Sequence, residues 1–101
     1  MALNFIAEKQ EKINWKELHN KIYRTDLLIE LVPMKGCGRN GGDAIGISIP
    51  RKNIGENTFQ QLKDTILILQ QKFRFEVFDM YSGNKIGTSN LEGLKGYFEE
   101  D

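Results

Sequence analysis

The sequence predicts a two-layer α+β domain, with helices packed on one face of an antiparallel or mixed sheet. Three observations lead there. Two segments, "NWKELHNKIYR" and "FQQLKDTILILQQKF", carry apolar residues at helical spacing. Three others, "DLLIELVP", "AIGISIP" and "FRFEVFDMY", are rich in β-branched and aromatic residues and alternate with period two. Helical and extended segments interleave along 101 residues, a length suited to one compact domain spanning 1–101.

Residues 2–10 fit two templates. Leu3, Phe5 and Ala7 alternate as in a strand, while Leu3, Ile6 and Ala7 can line a helix. The helical template is preferred, interrupted before Asn14, with the strand left open. Asn14 then caps a helix and Glu17 takes the reciprocal N3 position, with Trp15, Leu18 and Ile22 as the apolar stripe. In "DLLIELVP", Leu27, Ile29 and Leu31 share one face, and Pro33 argues for an end or an edge of the sheet. In "AIGISIP", Ile45, Ile47 and Ile49 share a face opposite Ala44, Gly46 and Ser48, a smooth face that lets a helix or another backbone approach.

Thr58 or Asn57 is expected to cap the long helix, where Phe59, Leu62, Ile66 and Leu69 make the core stripe and Leu67 broadens it. Phe73, Phe75 and Val77 form the core face of the next strand. Gly83 and Asn84 tolerate the positive φ of a tight turn leading to a short partner strand around Ile86. Ser89 and Glu92 suggest a capping box for a last helix carrying Leu91, Leu94 and Phe98, weakened by Gly93 and Gly96.

Lys plus Arg and Asp plus Glu are each 14, so no dominant electrostatic partner is implied and direct nucleic-acid binding is disfavoured. From residue 73 onward three basic residues face six acidic ones, a bias toward basic partners. No apolar run approaches a membrane span. The first fifteen residues lack the pattern of a signal peptide, and the single cysteine allows no internal disulfide, so a cytoplasmic location is expected.

The segment "MKGCGRNGGD" raises the chemical question. Gly36 to Gly41 matches the start of a phosphate loop, but Gly42 and Asp43 stand where lysine and a hydroxyl residue are required. A supple inter-strand loop explains it better. Gly36, Gly38, Gly41 and Gly42 allow unusual dihedrals, Asn40 and Asp43 bond the turn, and Arg39 projects toward a carboxylate or phosphate.

His19 has no second histidine with which to build a metal site, and a Cys37–His19 pair, oriented by Asp43 or Asp26, would have to close through space. Asp64, Asp79, Glu30 and Glu76 read as surface or hairpin charges. No cofactor motif is present, and no catalytic or metal-ligating residue is assigned. Phe73, Phe75, Phe78 and Tyr81 raise base stacking, but only Lys72 and Arg74 lie near them, interleaved with Glu76 and Asp79.

A non-enzymatic protein partner is therefore the expected ligand. Arg39, Arg51 and Lys52 are candidate basic contacts. Tyr81 with Asp79 on the hairpin, and Glu99 and Glu100 in the acidic tail, are the others. Self-association stays open. The α+β pattern, the long helix "TFQQLKDTILILQQ" and the hairpin "FRFEVFDMYSGNKI" cover about the last half of the chain and resemble small bacterial immunity proteins that neutralise polymorphic toxins. That resemblance implies stoichiometric occlusion of a toxin, a nuclease being one kind, without catalytic residues. A small adaptor is the alternative, followed by nucleic-acid binding and an unrecognised small enzyme.

Overall fold

The computed structural model describes residues 2–22, 27–38 and 41–98. Five strands, β1 (Ala2–Glu8), β2 (Glu30–Met34), β3 (Ala44–Pro50), β4 (Glu76–Asp79) and β5 (Lys85–Ile86), build one sheet. Among the described residues, two α-helices, α1 (Trp15–Ile22) and α2 (Glu56–Lys72), a short 3-10 turn (Arg51–Asn53) and a C-terminal 3-10 helix (Thr88–Phe98) accompany it. The strand order is β2-β3-β1-β4-β5, with every neighbouring pair antiparallel. β1-α1-β2 and β3-α2-β4 are thus interleaved β-α-β units, a ferredoxin-like connectivity extended by the β5 hairpin. This is the two-layer α+β class expected, with a purely antiparallel sheet.

The N-terminal segment corrects the helical preference: it is the central strand. Leu3, Phe5 and Ala7 stand opposite Ile49, Ile47 and Ile45 of β3, and Phe5 and Ala7 also oppose Asp79 and Val77 of β4. So short a segment gains little as an isolated helix. As a strand it fills ladders on both edges and buries Phe5 and Ala7 almost completely.

Leu18 and Ile22 of α1, and Phe59, Leu62, Ile66 and Leu69 of α2, pack on that face with the three isoleucines of β3. The α1 cap is as expected, the Glu17 N–H donating to Asn14 Oδ1 at 3.2 Å. The α2 cap is not. Gly55 precedes the helix without a side-chain cap, and Thr58 lies inside the first turn, its hydroxyl donating to the Asn53 carbonyl.

β2 is also shorter than "DLLIELVP" suggested, for a reason legible in its bonds. The Leu28 N–H donates to Gln61 Oε1 at 2.7 Å, and the Leu28 carbonyl accepts from Asn53 Nδ2 at 2.9 Å. Side chains take the groups a ladder would have used, so pairing begins at Glu30. Pro33 sits on an edge strand, where its missing N–H is tolerated.

The last helix is 3-10 rather than α. Leu91, Leu94 and Tyr97 recur every third residue, matching its three residues per turn, and Leu91, Leu94 and Phe98 are buried. Phe98 meets Phe59 of α2 with ring centroids 5.4 Å apart. Ser89, half of the expected capping box, has no described side chain, whereas Glu92 bonds Lys63 at 2.7 Å.

Candidate functional site

The β4–β5 hairpin end gathers the site. Period-two alternation turns Val77 and Asp79 toward the helices and Glu76 and Phe78 the other way, so a carboxylate enters the covered face opposite Phe5. Asp79 is 4% exposed and is therefore no surface charge. Its Oδ1 accepts the Tyr81 N–H and its Oδ2 the Tyr97 hydroxyl, each at 2.8 Å. The Asp79 N–H donates to the Asn84 carbonyl at 2.9 Å and its carbonyl accepts the Gly83 N–H at 2.7 Å. Gly83 takes the left-handed φ of 76°; Asn84, expected to share that role, does not. The Met80 N–H donates to the Asn4 carbonyl at 3.1 Å, tying the turn to β1.

The fixed turn presents two apolar side chains to solvent, Met80 at 60% and Tyr81 at 87% exposure. Tyr81 meets Tyr97 edge-on, with centroids 6.4 Å apart, over a groove of about 550 Å³ lined also by Leu3, Asn4 and Phe5. Hydrogen bonding to Asp79, then burial and the Asp79 charge, hold the Tyr97 hydroxyl above its ordinary value of 10.0. An aromatic ring on a pre-fixed turn is suited to anchoring a protein surface, because little ordering entropy remains to be lost on contact.

Arg51 and Lys52 lie in an exposed 3-10 turn (Arg51–Asn53) directly after Pro50, which pairs with Ala2. They share the sheet end of Met80 and Tyr81. Arg39, Glu99 and Glu100 lie outside the described residues. The described flanks of Arg39 belong to the opposite end of the sheet: Gly38, Gly42 and Asp43 abut Lys9 and the residues following it, whereas the hairpin abuts Asn4. About 17 Å of strand separates Asn4 from Lys9. The Tyr81 region and the glycine loop therefore do not form one compact patch.

The described flanks of that loop are pinned where suppleness was expected. Asp43 is buried, its Oδ2 accepting the Ile13 N–H at 2.8 Å and its Oδ1 the Gly36 N–H at 2.9 Å. Its carbonyl accepts the Lys9 N–H at 3.0 Å and its N–H donates to the Glu11 carbonyl at 3.1 Å. The glycines allow this close approach, since a Cβ on Gly38 or Gly42 would lie 2.4 or 2.2 Å from the Lys9 carbonyl oxygen. Asp43 is a strut that ties the loop's flanks to the segment after β1.

The bonds from Gly36 and Ile13, with the Lys12 and Lys35 charges, outweigh desolvation and hold the Asp43 carboxyl below 3.8. With the folded value depressed, its stabilisation is present above the unfolded value and is lost as pH falls through the folded one. The domain should lose stability below about pH 4. In urea melts, Asp43→Asn should be less stable than wild type at pH 7, with a smaller difference at pH 3.

A second concavity, about 690 Å³, opens between α1 and β2, lined by Trp15, Leu18, Ile22, Leu27 and Ile29 with His19, Glu30 and Lys35. Its lining includes His19 but not Cys37, which is exposed in the glycine loop. Among the described residues, no three His, Cys, Asp or Glu side chains gather to hold a metal. Phe73 and Phe75 are buried in the core, leaving Phe78 and Tyr81 of the rings considered for base stacking. No helix among the described residues is long and apolar enough to cross a membrane.

Tyr97 is the site residue the sequence reading missed. Its signal was a second step of three after Leu91 and Leu94, whereas an α-helical template places the next stripe residue at Phe98. Compared with protein-family models, with curated proteins and with solved structures, the chain matches none.

Proposed function

We propose that this domain is a non-catalytic, immunity-type protein of the bacterial cytoplasm. It binds and occludes a cognate toxin, a nuclease being one class, with the Met80–Tyr81 turn as its docking point. The observation that carries the reading is Tyr81, 87% exposed on a turn whose conformation is fixed by the buried Asp79. A solvent-facing aromatic ring already ordered by its turn can be buried by a partner at little entropic cost. Arg51 and Lys52, at the same sheet end, supply orienting charge.

Affinity purification from the native host should recover one dominant enzyme in stoichiometric complex, inactive while bound. Titrated against that partner, Tyr81→Ala should weaken binding by about 2 kcal/mol, roughly thirtyfold, with circular dichroism unchanged. Wild-type affinity in this variant rejects the anchor. Recovery of several scaffold proteins without enzymatic activity favours an adaptor.

A further inference from the structure

The groove beside the Tyr81 tip carries a buried charge. Leu3 and Phe5 of β1 share its wall with Asp79 of β4, which stands directly opposite Phe5. Asn4, Met80, Tyr81 and Tyr97 complete the lining. Among these residues Asp79 alone carries a carboxylate, and none is a lysine, arginine or histidine.

Both donors that hold the Asp79 carboxylate, the Tyr81 N–H and the Tyr97 hydroxyl, are neutral. They fix its position and leave its charge unpaired. Other carboxylates of the domain meet an ammonium: Asp43 that of Lys12 at 4.0 Å, Glu92 that of Lys63 at 2.7 Å and Glu76 that of Lys85 at 3.0 Å. Among the described residues no cation reaches Asp79 in this way. The charges that act on the adjoining Tyr97 hydroxyl agree, since Asp79 and Tyr81 raise its value and no cation offsets them. Arg51 and Lys52 share the sheet end but belong neither to the lining nor to those charges.

A charge taken out of water is destabilising until an opposite charge meets it. An ionised carboxylate offers about four lone-pair positions. Each Asp79 oxygen accepts one side-chain or backbone hydrogen bond, which leaves each able to accept another. The walls suit the same guest. The rings of Tyr81 and Tyr97 stand at 80° with centroids 6.4 Å apart, a corner in which a cation can lie over a ring face. Leu3 and Met80 offer apolar surface to the stem of a long basic side chain.

We propose that the groove receives an arginine side chain of the protein partner, its guanidinium donating to Asp79 and lying against a tyrosine ring. A planar, forked and weakly hydrated cation matches a carboxylate beside aromatic rings better than an ammonium does. The inference rests on the docking point proposed above and names what enters it.

The test is an NMR titration of the labelled domain with N-acetyl-arginine amide and its lysine and citrulline counterparts, citrulline being a neutral urea of similar shape. The arginine amide should shift the amides of Asp79, Tyr81 and Tyr97. Lysine should bind more weakly, and citrulline at least about tenfold more weakly. Asp79→Asn retains an acceptor for Tyr81 and a partner for Tyr97, so it should fold and lose at least about tenfold in affinity for the arginine amide. Should that variant not fold, the comparison of arginine with citrulline on the wild-type domain decides alone. Arginine binding no better than either counterpart, no shift with any amide, or shifts confined to the α1–β2 cleft would overturn the proposal. So would concentration-dependent dimerisation that broadens the same amides without a probe, which assigns the groove to a second copy. With the partner recovered from the host, weak binding by Tyr81→Ala beside wild-type binding by Asp79→Asn overturns the arginine and keeps the docking point. Selective binding of the arginine amide with full partner affinity in Tyr81→Ala supports the groove's chemistry and rejects the docking point.

Discussion

Gly42→Ala is expected to destabilise the domain by about 3 kcal/mol, toward the upper end of overpacking costs. The added Cβ would lie 2.2 Å from the Lys9 carbonyl oxygen, 2.4 Å from the Gln10 carbonyl carbon and 2.7 Å from the Glu11 nitrogen. All three are backbone atoms, so no rotamer change relieves the clash. The glycine loop and the segment after β1 must separate, which pulls on the Lys9–Asp43 and Ile13–Asp43 hydrogen bonds as well. In a domain of this size the loss corresponds to a drop of about 10–20 °C in Tm. Gly93→Ala is the control, because nothing lies within 4 Å of a Cβ there and its φ is not left-handed. Thermal melts by circular dichroism should separate the two variants clearly. A Gly42→Ala domain that melts with wild type contradicts the pinned loop.

Asp79→Ala should have the second large effect, on both stability and binding. It strips the acceptor from the Tyr81 N–H and the Tyr97 hydroxyl, and an unsatisfied buried donor costs about 1–3 kcal/mol. Water reaches the exposed side of the turn, so about 2 kcal/mol is expected in total. Asp79→Asn should cost less, because the amide oxygen can accept from Tyr81 while the amide nitrogen donates to the rotated Tyr97 hydroxyl. Tyr97 supplies an independent readout. Its titration, followed by ultraviolet absorbance, should fall back toward 10.0 in Asp79→Ala, because the Asp79 hydrogen bond is the main cause of its elevation. Since the folded value is raised, the stabilisation is present below pH 10 and disappears as pH rises through the folded value. Partner affinity should drop in Asp79→Ala although Asp79 is buried, because the tip it fixes becomes mobile.

Much of the fold was legible in local pattern. The spacing of Phe59, Leu62, Ile66 and Leu69 declared the covered face of α2, and Ile45, Ile47 and Ile49 declared that of β3. Pro33 correctly announced an edge strand. What failed depended on distant partners. Leu3, Phe5 and Ala7 are ambiguous alone and become a strand only because β3 and β4 flank them. Asp43 does bond its own turn through the Gly36 N–H, but its second bond was hidden, because the Ile13 N–H it also accepts is 30 positions away. Asp79 looked like a surface acid because Tyr97, its hydroxyl donor, is 18 positions on.

The candidate site divides the same way. Tyr81 was legible as an exposed aromatic beside a turn. Its rigidity was not, because that rests on a buried carboxylate and a tyrosine from another element. The open sheet face was not legible from one strand, because its apolar row, Val32, Ile6 and Phe78, needed the register of five strands.

The central claim is that the Met80–Tyr81 turn is the docking point. Hydrogen exchange of the domain, free and bound to the partner recovered from its host, tests it most directly. The account predicts that binding slows exchange in residues 79–86 and around Tyr97 and leaves the amides of Gly36 and Gly38 unchanged. Slowing at the glycine loop with an unaltered hairpin would contradict it.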